Sequence, residues 1–331
     1  VYLREYLGQE ATYACLSHCW GKEGPALQLT SHKVGELKCG VARAHLPRTF
    51  QDAVDICGKL NIKFLWIDAL CILQDNLDDW TSTAQVMASI YENAYLTIAA
   101  TGSDSTNGGC FSRLRDEYRE IRLDSTGLYT RKLMPTFPMH EIPESDESDW
   151  PLLGRGWVCQ ERHLSTRVIH YAKDQLFWEC SSTFRSSVDP DSPGSRTPNP
   201  IRDLTDHGHL DWTRFVQLYS GMRFTKSGDR LPALAGIVER EGLRRKDDMY
   251  VAGMWKSTLL QDLGFYGDEN ANVVPGLPSW SWVSIQDHVR FWTIMRGTRT
   301  TTLAGLDFNS EGSPNMGKVK SASIRLKGPT L

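Results

Sequence analysis

No run of about 18 consecutive apolar residues occurs anywhere in the chain, which excludes a membrane-spanning helix. The first residues, Val1-Tyr2-Leu3-Arg4-Glu5, lack the apolar centre and cleavage site of a secretion signal, and the absent methionine fits a processed or trimmed piece. The eight cysteines (Cys15, Cys19, Cys39, Cys57, Cys71, Cys110, Cys159 and Cys180) form no C-x-x-C pair, so neither a zinc site nor a disulfide framework is indicated. Several stand inside apolar segments, where a reduced cysteine acts as a small hydrophobe; the expected compartment is reducing, hence the cytoplasm. Neither G-x-G-x-x-G nor G-x-x-x-x-G-K-[ST] is present, which leaves only a weak nucleotide signal. A net charge of −3 gives no general attraction to nucleic acid or to an anionic membrane. No metal and no cofactor is expected.

What is present describes a globular protein. With 331 residues, 40% hydrophobic and 23% charged, the chain can form one large domain or two ordinary ones without staples. Of its eleven tryptophans, Trp20, Trp157, Trp280 and Trp282 sit beside Gly or Ser, as rings packed under loops or lining a pocket would. Residues 12–17 read as a strand ending at His18. Thr49 opens a helix, with Asp52 in capping-box position and Phe50, Val54, Cys57 and Leu60 on one face. The nearly continuous apolar run 62–67 suits a strand buried on both faces. A helix over 79–93 follows, with Trp80, Ala84, Met87, Ile90 and Tyr91 as its buried stripe, then a strand over 95–100. Strand–helix–strand–helix–strand implies parallel pairing and right-handed crossovers. Residues 102–151 read as loops with short strands, and 166–171 with 176–180 as a hairpin. Helical patterns return at 210–224, 230–245 and 248–263, and a β-rich piece runs from Pro278 to the end. The expected division is a core over 1–182, a flexible linker over 183–209 rich in Ser, Pro, Asp and Gly, and an extension over 210–331 packed on the core.

In open parallel sheets, ligands bind beyond the carboxyl ends of the strands. Those ends are Ser17–His18, Asp68–Cys71 and Thr101–Gly102. Asp68 can orient a histidine, accept from a ribose hydroxyl, or cap the next turn. Cys71 lies one helical turn further on, where a lowered pKa would make it a nucleophile and burial would make it a small hydrophobe. His18 is a candidate acid or base; Cys15 and Cys19 alternate with it in direction, which argues against a shared metal site. Arg155, Trp157, Gln160 and Glu161 form a compact block in which Glu161 can move a proton and Arg155 or Arg162 can hold a phosphate or carboxylate, or the block can lock the chain by an internal salt bridge. The loop 102–109 offers Gly, Ser, Asp and Asn to a phosphate. The tryptophans of 278–282 are expected to pack the C-terminal strands.

Several blocks together resemble the fungal heterokaryon-incompatibility (HET) domain family. They are Tyr13-Ala14-Cys15-Leu16-Ser17-His18-Cys19-Trp20-Gly21, Leu46-Pro47, Asp52-Ala53, Leu65-Trp66-Ile67-Asp68-Ala69-Leu70-Cys71-Ile72-Leu73-Gln74-Asp75, Met87, Ile90-Tyr91, Ala94 and Arg155-Gly156-Trp157-Val158-Cys159-Gln160-Glu161-Arg162. Trp178-Glu179-Cys180, Asp229-Arg230-Leu231-Pro232-Ala233-Leu234, Ala252-Gly253-Met254-Trp255 and Pro278-Ser279-Trp280-Ser281-Trp282 resemble an extension found in filamentous-fungal members. Two positions depart from the usual pattern: His18-Cys19 replaces an aromatic and a small or apolar residue, and Leu73 replaces an acid. The resemblance implies an α/β fold with a Rossmann/TIR-like parallel-sheet core, and a role in non-self recognition and cell death or in secondary metabolism. TIR domains of similar outline include NAD-cleaving enzymes, which suggests a small-molecule ligand such as NAD. The expected catalytic set is His18, Asp68, Cys71 and Glu161, with Ser17, Trp20, Gln74, Arg155, Trp157 and Gln160 binding substrate and Trp20 and Trp157 as walls. The alternatives are a metabolite-tailoring enzyme using Cys71, His18 and Asp68, and a non-catalytic signalling module that acts by oligomerisation, as a homo-oligomer, or by partner binding.

Overall fold

The computed structural model describes residues 1–5, 8, 10–125, 127–138, 147–188, 205, 206, 209–292, 301–311 and 318–329. The chain forms two compact units. The first comprises residues 1–154 and 164–200, the second 155–163 and 201–331. The segment 155–163 thus groups with the second unit, whereas the sequence reading counted it with the core.

The first unit is built on a six-stranded sheet: β1 (Tyr13–Ser17), β2 (Phe64–Ile67), β3 (Leu96–Ala99), β6 (Arg167–Tyr171), β7 (Leu176–Cys180) and β8 (Phe184–Ser186). Their order is β2-β1-β3-β6-β7-β8. The pairs β1–β2, β1–β3 and β3–β6 are parallel, as expected from the intervening helices, while β6–β7 and β7–β8 are antiparallel. A separate two-stranded hairpin pairs β4 (Ile121–Arg122) with β5 (Tyr129–Thr130). The helices of this unit are α1 (Val34–Cys39), α2 (Arg48–Lys59), α3 (Asp68–Cys71) and α4 (Leu77–Asn93). The fold is therefore mixed α/β with a mostly parallel central sheet.

Side-chain alternation sorts the strand residues onto two faces. Leu16, Ile98 and Tyr171 point toward Phe50, Ala53, Ile56 and Cys57 of α2. On the other face, the Tyr13 hydroxyl and the Cys15 thiol both donate to Ile90 O of α4. Trp66 stands edge-on to Tyr91 of the same helix. Asn76 caps α4, its side chain accepting from the Asp78 and Asp79 amides.

Three expectations need correction. The apolar run 62–67 is not buried on both faces: among the described residues β2 is the edge of the sheet with β1 as its one strand neighbour, and Phe64 is 46% exposed. The capping box at Thr49 and Asp52 does not form. The helix begins at Arg48 behind Pro47 with no side-chain cap. Both side chains instead turn to the loop after β3, as described below. The segment 248–263 is not one helix. Ala252 (φ 45°) and Gly253 (φ 90°) make a tight turn between Tyr250–Val251 and Met254–Trp255, leaving only Leu259–Asp262 helical. Two successive positive φ values suit the twist of a two-residue hairpin; Gly253 adopts one freely, whereas Ala252 holds the other against its usual preference.

In the second unit, helices Trp212–Ser220 and Ala235–Arg244 fall inside the expected ranges. The indoles of Trp212 and Trp282 both donate to Gly253 O, at 2.8 and 2.7 Å, so the turn is a centre of that core. The buried Arg230 guanidinium donates to Ile285 O, Ser220 O and Asp287 O and lies over the Trp282 ring. A long hairpin, Thr302–Glu311 with Lys318–Lys327, gives the expected β-rich end. Most of the expected linker, residues 189–204, 207 and 208, lies outside the described residues, and Phe184–Ser186 within its span is a strand of the sheet.

Candidate active site at the strand ends

Parallel pairing of β1 with β2 sets Leu16 beside Ile67, so the next residues of each strand emerge side by side. His18 Nδ1 lies 3.7 Å from Asp68 Oδ1. The Trp20 indole N–H donates to Asp68 Oδ2 at 2.9 Å, and the Ala69 amide donates to Oδ1 at 2.7 Å. The imidazole side chain is 1% exposed and rests edge-on against Phe50, while the carboxylate is 20% exposed. The carboxylate is thus the more open member of the pair, with the imidazole behind it. Asp68 accepts a local amide, as its structural role required, and still keeps acceptor capacity on a partly open carboxylate.

Cys71 sits at the end of α3 and is half-buried. Loss of hydration pushes its thiol up to about 11, and the nearby Asp68 charge pushes the same way. A thiol in that state is protonated at neutral pH and is a poor nucleophile. Gln74 supports the loop from beneath: its amide donates to Asp68 O at 3.0 Å and to Ile72 O at 3.1 Å. The Ser17 hydroxyl is buried without a hydrogen-bond partner among the described residues, and strand alternation turns it to the α4 face, away from His18.

The third wall is the loop after β3. Thr49 Oγ1 donates to Ser105 O at 3.2 Å and accepts from the Gly109 amide at 3.0 Å. Asp52 Oδ2 accepts from the amides of Cys110 and Phe111, at 2.8 and 3.3 Å. The Ala26 amide donates to Thr106 Oγ1 at 3.4 Å, joining this loop to the one that carries Trp20. Those amides are aimed at Thr49 and Asp52 rather than at a phosphate. At the root of the loop, Gly102 passes so close to the β6–β7 turn that a Cβ there would lie 2.6 Å from Lys173 N.

Sequence reasoning missed a buried polar chain at the same end of the sheet. Thr101 Oγ1 is 3.0 Å from His170 Nδ1, and His170 Nε2 is 3.1 Å from Glu179 Oε2. The only hint available was a histidine and a glutamate inside two otherwise apolar hairpin strands. Neither can be assigned to a common cluster without the β6–β7 register.

The other candidate residues lie in the second unit: Arg155 directly before helix α5 (Gly156–Leu164), and Trp157, Gln160 and Glu161 on it. Gln160 Oε1 accepts from the Gly236 amide at 2.9 Å, and the Trp157 indole donates to Asp229 Oδ2 at 3.1 Å. Arg155 bridges to Arg223, and Gly156 meets Phe224 so closely that a Cβ would lie 1.9 Å from its ring. Glu161 is buried. The polar block thus fastens α5 to the segments around 223–236.

Fold and site together define an α/β protein with a polar cluster where parallel strands end. Residues 13–161 match the model of the family described as heterokaryon incompatibility protein (HET). No curated protein and no solved structure matches it. Among the described residues no helix is long and apolar enough to cross a membrane.

Proposed function

We propose that this HET-domain protein is an enzyme that binds a small molecule at the carboxyl ends of β1, β2 and β3. A nucleotide such as NAD is the favoured ligand, in a TIR-like reading of the core. The observation that carries the proposal is the His18–Asp68 pair, 3.7 Å apart, drawn from two strands and held by Trp20. In this reading Asp68 accepts a hydrogen bond from a ligand hydroxyl. His18 behind it takes up or gives back the proton that the reaction moves. Trp20, half-buried beside the carboxylate, supplies an aromatic wall. Glu161 is the remaining carboxylate candidate and is tested by its own variant. The setting is the cytoplasm, in non-self recognition and cell death or in secondary metabolism.

The test is nicotinamide release from NAD by the whole chain, followed by chromatography. Turnover is expected, with Asp68→Asn and His18→Gln each lowering kcat/KM by at least about 100-fold while the fold is retained. Wild-type protein inert at high concentration would sink the NAD version. The Cys71 thiol, held up near 11, weighs against the tailoring reading that uses it as nucleophile. A non-catalytic module is the second reading. The use of Trp20 and Gln74 on protein acceptors favours it, and an inert substrate panel would leave it standing.

A further inference from the structure

The strand β2 lies at one edge of the six-stranded sheet. The segment Phe64–Ile67 reads Phe-Leu-Trp-Ile, with neither a proline nor a charge, and it pairs on one side only, with β1. Its other side carries backbone donors and acceptors that no strand takes up among the described residues. Natural edge strands are guarded by shortness, proline, a bulge or charge; β2 is short and flanked by Lys63, but it has no proline, bulge or charge within it. Exposed apolar surface collects at the same place: Phe64 is 46% exposed and Leu60, at the end of α2, is 50% exposed.

Charge decides what such an edge accepts. The residues leading into β2 include the exposed Lys59 and Lys63, while those beyond it include Asp68 and the exposed Asp75 and Asp78. One end of the strand is therefore basic and the other acidic. Two identical strands laid antiparallel bring each basic end against the other copy's acidic end, twice, by symmetry. Centred between Leu65 and Trp66, that pairing sets Phe64 opposite the second copy's Ile67, and Lys63 opposite its Asp68. A parallel arrangement would oppose like charges.

We propose that the β2 edge is a docking surface for the β2 edge of a second copy of this chain, paired antiparallel to make one continuous sheet. A strand of four residues buries little area, so the association is weak, with a dissociation constant on the order of 10–100 μM. It places the Asp68 ends of the two copies at opposite ends of the shared seam.

Sedimentation velocity of the whole chain from about 5 to 500 μM tests this. A reversible monomer–dimer shift is expected. Phe64→Glu should weaken it at least tenfold, with an unchanged circular-dichroism spectrum and melting temperature, since the ring is half in solvent. Lys63→Glu should weaken it several-fold and reverse its salt dependence. This second variant decides the matter should Phe64→Glu fold poorly. A wild-type chain that stays monomeric throughout, including one whose edge is taken by an unrelated strand, overturns the proposal. So does a dimer that both variants leave intact.

Discussion

Replacing Asp262 by asparagine should change how stability depends on pH. Asp262 is 1% exposed at the end of the short helix Leu259–Asp262, and its main partner is the Thr258 hydroxyl, which donates to Oδ2 at 2.7 Å. Burial raises its carboxyl from 3.8 to about 7. The Thr258 bond and Arg245 pull it down, and Asp211 and Asp248 push it up. The folded chain therefore keeps a proton that the unfolded chain releases above pH 3.8. Stability from this group is greatest at low pH and falls as pH rises, levelling off above about 7. A shift of this size corresponds to about 4 kcal/mol in all, of which about 2.5 kcal/mol is lost between roughly pH 5 and pH 8. Asparagine imitates the neutral acid and cannot ionise. Asp262→Asn should thus gain about 2.5 kcal/mol on the wild type as pH goes from about 5 to 8. Urea unfolding of both proteins at the two pH values, followed by tryptophan fluorescence, measures the difference. Parallel pH profiles for the two chains would refute the assignment of a buried, neutral Asp262.

Three further outcomes follow from the first unit. Trp20→Phe removes the indole donor from a partly open carboxylate that water can reach, so it should cost only about 1 kcal/mol in thermal unfolding while weakening ligand binding more. Asp52→Ala leaves the Cys110 and Phe111 amides without their acceptor. It should cost about 3 kcal/mol and speed hydrogen exchange at 109–111, and unchanged exchange there would contradict the anchoring described. Cys71, with its thiol near 11, should be alkylated by iodoacetamide at pH 7.5 more than about 100-fold slower than an ordinary exposed thiol, with the rate climbing toward pH 11. Fast labelling of the Cys71 peptide at neutral pH would restore the nucleophile reading.

The parallel core was legible in the sequence because its signals are local. Apolar runs at 12–17 and 95–100, and a helical stripe ending at Tyr91, each specify an element within a few turns of chain. The juxtaposition of His18 with Asp68 followed from strand direction alone. What could not be read depends on distant partners. Thr49 and Asp52 have the residue types of a helix cap, but amides some sixty positions away compete for them and win. The apolar run ending at Ile67 fits a central strand as well as an edge, and only the order of strands separates the two. The bond from the Gly236 amide to Gln160 joins residues 76 positions apart and needed the fold to be seen. His170 and Glu179 needed the register of their hairpin.

The interleaving of the two units bears on any attempt to dissect this chain. The family segment stops at residue 161, inside α5, before β6, β7 and β8 have been made. A fragment cut there would carry half the strands of its sheet, with the flank of β3 that normally pairs with β6 left bare. It would also keep most of a helix whose bonding partners at Gly236 and Asp229 had been removed. Such a fragment is expected to be insoluble when expressed alone. The smallest stretch that respects the fold must run past β8 and must keep the C-terminal half that receives α5.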